Sequence, residues 1–438
     1  MLKKLTAVIL TALLAASLAA CNTESADEAA SAASAQTQTA TEEQAQTQNE
    51  TQTEAESEAA SSSTISAVTA SAKVTSNGAI DATDMFTDRD LLQTADVSSA
   101  EKYVLSDGKN ISITSAGIYI LSGSAKDVTV SVDVADDEKV QLVLDGATIT
   151  NSDSPCIYVK NADKVFVTTT SSENSLSVTG SFTADGETNT DAVIYSKDDI
   201  ILNGVGSLEI NSTANGITSK DDLKITGGTI TIASTADALE ANDSIAVADG
   251  TININSQKDG LHAEDSDDDS KGYIYICGGT FNITAADDGI QAITIAQIDG
   301  GEITVNAAEG IEATYVQIND GTINISSSDD GINASQKSGS YSTLAEFNGG
   351  TISIEMGAGD TDGIDSNGDL IINGGTISIN GQSPFDYDGN GELNGGTLIV
   401  NGTQTETLAN QMMGGRGGMG NMGGRGNMPN DMQGGFAG

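Results

Sequence analysis

Acidic side chains recur at fixed offsets through much of this chain, and their arrangement is suited to holding a hard divalent cation. Aligned on a repeated D-G-I-x unit, the first position runs Asp191, Asn215, Asp237, Asp259, Asp288, Glu309, Asp330, Asp362 and Ser383. The fourth runs Ile194, Thr218, Glu240, His262, Gln291, Glu312, Asn333, Asp365 and Asp386, and the preceding position adds Lys258, Asp287 and Asp329. If successive units stack as strands, equivalent residues lie about 4.8 Å apart. Two carboxylates at that distance repel by about 3 kcal/mol at an effective dielectric near 20. Calcium takes six to eight carboxylate, carbonyl and water oxygens, so it relieves such a row. The expected ligands are Asp237, Glu240, Asp259, Glu264, Asp287, Asp288, Glu309, Glu312, Asp329, Asp330, Asp362 and Asp365. The competing reading is that Asp-Gly and Asn-Gly are ordinary solvated turn dipeptides.

The elements that carry these columns follow from the repeat. Each D-G-I-x unit leads to a Gly-Gly or Asp-Gly pair and an alternating run, as in Asp330-Gly-Ile-Asn to Gly349-Gly-Thr-Ile-Ser-Ile. From Asn215 to Asp362 the units start 22, 22, 29, 21, 21 and 32 residues apart, the long intervals holding insertions near 265–272 and 336–342. Alternation with period two means strands with one buried face, and glycine pairs mark corners. One such unit cannot enclose a core, but stacked units can. The expected fold is an all-β, right-handed, single-stranded parallel β-helix with coils of roughly 21–22 residues. It should occupy residues 141–405, behind N-terminal cap strands at 73–140 that protect the open edge.

The flanks read differently. Residues 1–21 carry Lys3 and Lys4, an apolar run from Leu5 to Leu14, and Leu18-Ala19-Ala20-Cys21. This pattern is a signal peptide ending in a lipobox-like sequence, with Cys21 as the lipidation site. Residues 22–72, rich in Ala, Ser, Thr, Gln and Glu with no aromatic, read as a disordered tether, and residues 406–438 as a disordered Gly/Met-rich tail. The expected location is the extracellular face of a bacterial membrane, lipid-anchored, as a monomer. Cys156 and Cys277 lie several coils apart and are expected to be free thiols.

The net charge of −45, from 63 acids and 18 bases, excludes nucleic acid as a natural partner. With no Trp and 4% aromatic residues, stacking platforms for neutral sugars are sparse, and Tyr273, Tyr275, Tyr315, Tyr341 and Tyr387 are the available rings.

Tyr119-Ile-Leu-Ser-Gly, Leu142-Val-Leu-Asp-Gly-Ala-Thr-Ile, Ile157-Tyr-Val-Lys-Asn-Ala-Asp-Lys-Val and the D-G-I-x…G-G-T-I-x-I coils resemble a clostridial family of surface β-helix carbohydrate-binding lipoproteins. That resemblance, over about residues 100–400, implies binding of cellulose and acidic polysaccharides such as polygalacturonate, with pectate-lyase-like calcium sites and no demonstrated catalysis. His262, Gln291 and Asn333 replace acids at the fourth position, so not every coil need hold metal. The expected function is therefore calcium-dependent binding of an acidic polysaccharide. Two alternatives stay open. One is a calcium-dependent pectate lyase, with Lys258 as the first candidate base and Lys220, Lys197 and His262 behind it. The other is an adhesin with protein partners.

Overall fold

The computed structural model describes residues 73–74, 80–358 and 361–410. Cys21, the 22–72 tether and the tail beyond residue 410 lie outside the described residues. Within them the chain is all-β apart from one 3-10 turn at Val97–Ser99.

Each regular coil contributes three short strands, and each strand pairs in parallel with the equivalent strand of the next coil. Asn215–Ser219, Asp222–Ile225 and Thr229–Ser234 make one coil. Leu239–Ala241, Ser244–Val247 and Thr251–Ser256 make the next, paired with it strand for strand. Three parallel faces result: the D-G-I-x face, a second face, and the T-I-x-I face. The alternation seen in the sequence sets the register. On the third face Leu208, Ile230, Ile252, Phe281, Ile303, Ile323, Ile352 and Ile377 stack in a continuous inward row. Burying each such side chain contributes about 1.5–3 kcal/mol, and no coil could achieve this without neighbours on both sides.

Parallel pairing begins at Glu101–Val104, which pairs with Gly117–Lys126, itself paired with Lys139–Asn151. The far end closes where Thr403–Thr405 folds back antiparallel on Thr397–Val400. That hairpin covers an edge that would otherwise offer free backbone groups. The two insertions leave the solenoid between the first and second faces and meet there. Ser338 Oγ donates to the Asp269 carbonyl at 2.6 Å, and the Tyr341 hydroxyl donates to the Ser270 carbonyl at 3.1 Å.

The glycines divide into two physical classes. The second glycine of each pair turns a corner with positive φ, 82° at Gly228 and 99° at Gly301, a region in which side chains are strained. The glycine of D-G-I-x is not a turn residue. It lies at the start of a strand or directly before one, against the next coil, and a Cβ on Gly310 would come 2.3 Å from the Gly331 carbonyl oxygen. Asp237, Asp259 and Asp288 are buried, and their units open or directly precede a strand, which counts against solvated turns at those three positions.

Residues 80–93 lie across the second face. Ile80 and Met85 pack with Tyr273, Tyr275, Ile295 and Tyr315. Gln297 Oε1 accepts from the Ile80 N–H at 2.6 Å, and Lys224 Nζ donates to the Met85 carbonyl at 3.0 Å. Asp90 is fully buried, with Lys164 3.5 Å away. Arg89 stacks 4.3 Å from the Phe166 ring centroid. Tyr273, Tyr275 and Tyr315 are only 3–6% exposed, so they form a packed layer under this strap and are not open to a sugar. Both Cys156 and Cys277 are free thiols.

Candidate functional site

The D-G-I-x corner is built as a ladder in which side chains cap backbone. Asn215 Oδ1 accepts from the Asp237 N–H at 3.1 Å, Asp237 Oδ1 from the Asp259 N–H at 3.0 Å, and Asp259 Oδ1 from the Asp288 N–H at 3.0 Å. Asp330 Oδ1 does the same for the Asp362 N–H at 2.9 Å. The first-position acid thus has a structural task, satisfying a buried donor of the next coil, with one oxygen so engaged. The fourth-position column keeps its register, with Glu240 beside His262, Gln291 beside Glu312, Asn333 after Glu312, and Asp365 beyond.

Three overlapping groups of ligand atoms lie within 4.8 Å of one another along this corner: Asp237, Asp259 and His262; Asp259, Asp287 and Asp288; and Asp288, Glu309 and Glu312. Of the expected ligands, Asp237, Asp259, Asp287, Asp288, Glu309 and Glu312 are drawn together. Among the described residues Glu240, Glu264, Asp329, Asp330, Asp362 and Asp365 join no such group. Glu240 accepts from Asn215 Nδ2 at 2.6 Å and Thr218 Oγ1 at 2.7 Å and pairs with Lys220 at 3.3 Å. Glu264 is exposed, 3.3 Å from His262 Nε2.

The two ends of the corner differ in charge. At Asp237 and Asp259 the protein supplies its own cations. Lys258 Nζ lies 3.0 Å from Asp237 Oδ2 and 3.4 Å from Asp259 Oδ2, and His262 Nδ1 lies 3.4 Å and 3.6 Å from the same atoms. Burial pushes Asp237 upward, but the His262 hydrogen bond, the Asp259 N–H and the charges of His262 and Lys258 prevail and hold it at about 2. Burial opposes the Lys258 charge, yet Asp237 and Asp259 raise its pKa. A lysine held charged between two carboxylates is poorly suited to act as a general base, which counts against Lys258 as a lyase residue.

Around Asp288 compensation is scarce. Burial, then the charges of Glu309, Asp259, Glu312 and Asp287, push Asp288 up to about 9. Burial and Glu312 push Glu309 to about 7. Lys337, from the second insertion, reaches Glu312 at 2.6 Å. Gln291 Nε2 donates to Asp288 Oδ2 and to Glu312 Oε2, the latter at 3.0 Å. Asn333 Nδ2 donates to Glu309 Oε2 at 3.0 Å, while the buried Asn333 Oδ1 has no hydrogen-bond partner among the described residues. Rotating either amide by half a turn presents a neutral oxygen to the carboxylates. Asp288, Glu309 and Glu312 with these amides form an all-oxygen donor set, which fits a hard cation such as calcium.

Sequence reasoning took Gln291 and Asn333 as interruptions; their register on either side of Glu312 makes them part of the cluster. It also missed a fourth grouping, Asp221, Asp222 and Asp243, at the entry to the second face. There burial and the Asp243 hydrogen bond push Asp221 to about 8. The Lys-Asp-Asp sequence at 220–222 was the available signal. An amide ladder at another corner was missed too. Asn348 donates to Asn319, Asn373 to Asn348 and Asn394 to Asn373, at 2.8–2.9 Å.

The family model for carbohydrate-binding domain-containing proteins matches residues 107–361, more than half of the 438-residue chain. The chain belongs to this family. A carbohydrate-binding domain-containing protein of Acetivibrio thermocellus is 38% identical over 126 residues, covering 27% of this chain and 43% of the relative. The chain therefore spans less than half the length of that relative. A solved polysaccharide lyase-like protein from C. thermocellum, in a gadolinium derivative, shares 32% identity with a TM-score of 0.46, covering 51% of this chain and 96% of that one. The matched region contains the D-G-I-x units from Asp191 to Asp330, with Asp288, Glu309 and Glu312 among them.

Proposed function

We propose that this protein is a calcium-dependent binder of acidic polysaccharide, displayed at the outer face of the cell membrane through a lipid on Cys21. The supporting observation is the cluster of Asp288, Glu309 and Glu312, whose ligand atoms lie within 4.8 Å of one another and which has little cationic compensation. Protons or a hard cation must offset that repulsion, and calcium is the abundant hard cation outside cells. A domain with 53 acids and 14 bases between residues 73 and 410 repels a polyuronate. Bound calcium with coordination positions left for sugar carboxylates reverses the sign of that interaction locally. The coil repeat offers several weak contacts to a regular polymer, which add through avidity. Parallel crossover connections are strongly right-handed in proteins, which favours a right-handed β-helix for the stacked coils. In the same reading residues 22–72 are the tether, and the protein works as a monomer.

Affinity electrophoresis in gels containing polygalacturonate tests this reading. Retardation is expected with calcium and is lost with EGTA or in Glu309→Gln/Glu312→Gln. No unsaturated product absorbing at 235 nm is expected, given the ion-paired Lys258. Retardation that persists in EGTA removes the calcium bridge, and calcium-dependent product moves the protein to the lyases.

A further inference from the structure

The two insertions follow Leu261–Ala263 and Ile332–Ala334. The coils between them are uninterrupted: Asp288–Ile298 and Glu309–Ile318, which carry Asp288, Glu309 and Glu312. Across these two coils the insertions join as an arch. Ser338 Oγ donates to the Asp269 carbonyl at 2.6 Å and Ser340 Oγ to Asp269 Oδ1 at 2.8 Å. The second leg of the arch is pinned to the coil beneath it, where buried Thr314 Oγ1 accepts from the Lys337 and Ser338 N–H groups at 3.0 and 2.9 Å. This pinned backbone delivers Lys337 to the acidic cluster, with Nζ 2.6 Å from Glu312 Oε2 and the lysine side chain 25% exposed. Among the described residues no other lysine or arginine forms an ion pair with Asp288, Glu309 or Glu312. Lys258 is held by Asp237 and Asp259, but Lys337 has Glu312 alone. Asn333, only 8% exposed, points its amide into the same cluster, and its Oδ1 has no hydrogen-bond partner among the described residues.

We propose that Lys337 is a tethered counter-ion: it occupies the acidic cluster in the metal-free protein, is expelled by calcium, and then meets a carboxylate of the bound glycan. The proposal rests on the reading of this cluster as a calcium site for a polyuronate. Calcium binds oxygen at 2.3–2.6 Å, so calcium and the Lys337 ammonium on the same Glu312 oxygen would stand about 5 Å apart at most. Like charges that close repel. The divalent ion gathers Asp288 and Glu309 as well, with which the ammonium makes no ion pair, so the ammonium gives way. Its backbone stays pinned on Thr314, and the flexible four-carbon stem lets the charged head swing outward while the arch keeps its place. The expelled charge therefore remains at the rim of the site. A polyuronate carries a carboxylate on every sugar. One that ligates the metal brings its neighbours past this rim, where a free ammonium offsets their charge. The same lysine thus opposes calcium and favours glycan, two effects of opposite sign that a merely structural ion pair does not produce.

Calorimetry on the full-length protein tests it in two titrations, calcium chloride into the glycan-free protein and hexagalacturonate into the protein saturated with calcium. Wild type, Lys337→Gln and Lys337→Arg are compared. In Lys337→Gln the calcium affinity should rise roughly threefold or more, and the hexagalacturonate affinity should fall by a similar factor. Lys337→Arg keeps the charge and should leave both affinities close to those of the wild type, which separates loss of charge from loss of fold. If the wild type binds calcium and hexagalacturonate but Lys337→Gln changes neither, the calcium site stands and the role of Lys337 is overturned. The role is also overturned if only one affinity changes, or if both change in the same direction. If the wild type takes up no calcium, the calcium reading itself fails and the proposal falls with it.

Discussion

Without calcium, the acidic corner should invert the usual pH dependence of stability. The perturbation is acidification in EGTA. Asp288 is held at about 9, Asp221 at about 8, and Glu309 and Asp365 at about 7 in the folded chain. The unfolded values lie near 4. Between those limits the folded state binds more protons than the unfolded one, so stability falls as pH rises. Each pKa unit corresponds to about 1.4 kcal/mol. Asp288 alone therefore costs up to about 4 kcal/mol on going from pH 5 to pH 8, which at ~2 °C per kcal/mol lowers Tm by roughly 8 °C. Asp237, held at about 2, acts in the opposite sense, but its contribution is lost only below about pH 4. His262, raised by Asp237 against its burial, acts in the same sense as Asp288, so a variant must separate them. Asp288→Asn should gain stability at pH 8 in EGTA and flatten the slope. Calcium at a hundred times its Kd should restore about 2.7 kcal/mol to the wild type and little to the variant. Scanning calorimetry from pH 5 to 8.5, with EGTA and with calcium, reads all of this. A Tm in EGTA that is level or rises across that range would refute the electrostatic reasoning.

Three further outcomes follow from specific residues. Cys21→Ala should leave the protein unlabelled by radioactive fatty acid and either shed or unprocessed; unchanged labelling removes the lipid anchor. Gly310→Ala places a methyl 2.3 Å from the Gly331 carbonyl, so it should destabilise by about 1–3 kcal/mol in urea unfolding, and a wild-type midpoint would show that the coils can part. Lys258→Met removes the cation between Asp237 and Asp259; it should strengthen calcium binding at that end by calorimetry, and unchanged affinity would mean that the lysine does not compete with metal.

The stacked coils were legible because period-two alternation and glycine pairs are local consequences of a strand and a corner. The T-I-x-I isoleucines stack in register as the repeat implies. Position in the stack was harder to read. That Asp237, Asp259 and Asp330 each cap the backbone of the next coil depends on side-chain direction, which column spacing does not encode. Gln291 and Asn333 looked like lost ligands because a column was scored by charge, although an amide oxygen is also a hard donor. The burial of Tyr273, Tyr275 and Tyr315 beneath Ile80 and Met85 was illegible, since the strap precedes the repeat and these tyrosines come 188–235 positions later in the chain.

The central claim is that calcium at the acidic corner is what lets an acidic domain hold an acidic glycan. Titration calorimetry of hexagalacturonate into the wild-type protein tests it most directly, run once in calcium and once in EGTA, with Glu309→Gln/Glu312→Gln alongside. The account predicts heat in calcium, none in EGTA, and a marked loss in the double variant. Binding that is equal in calcium and EGTA, or that the variant keeps in full, would contradict it.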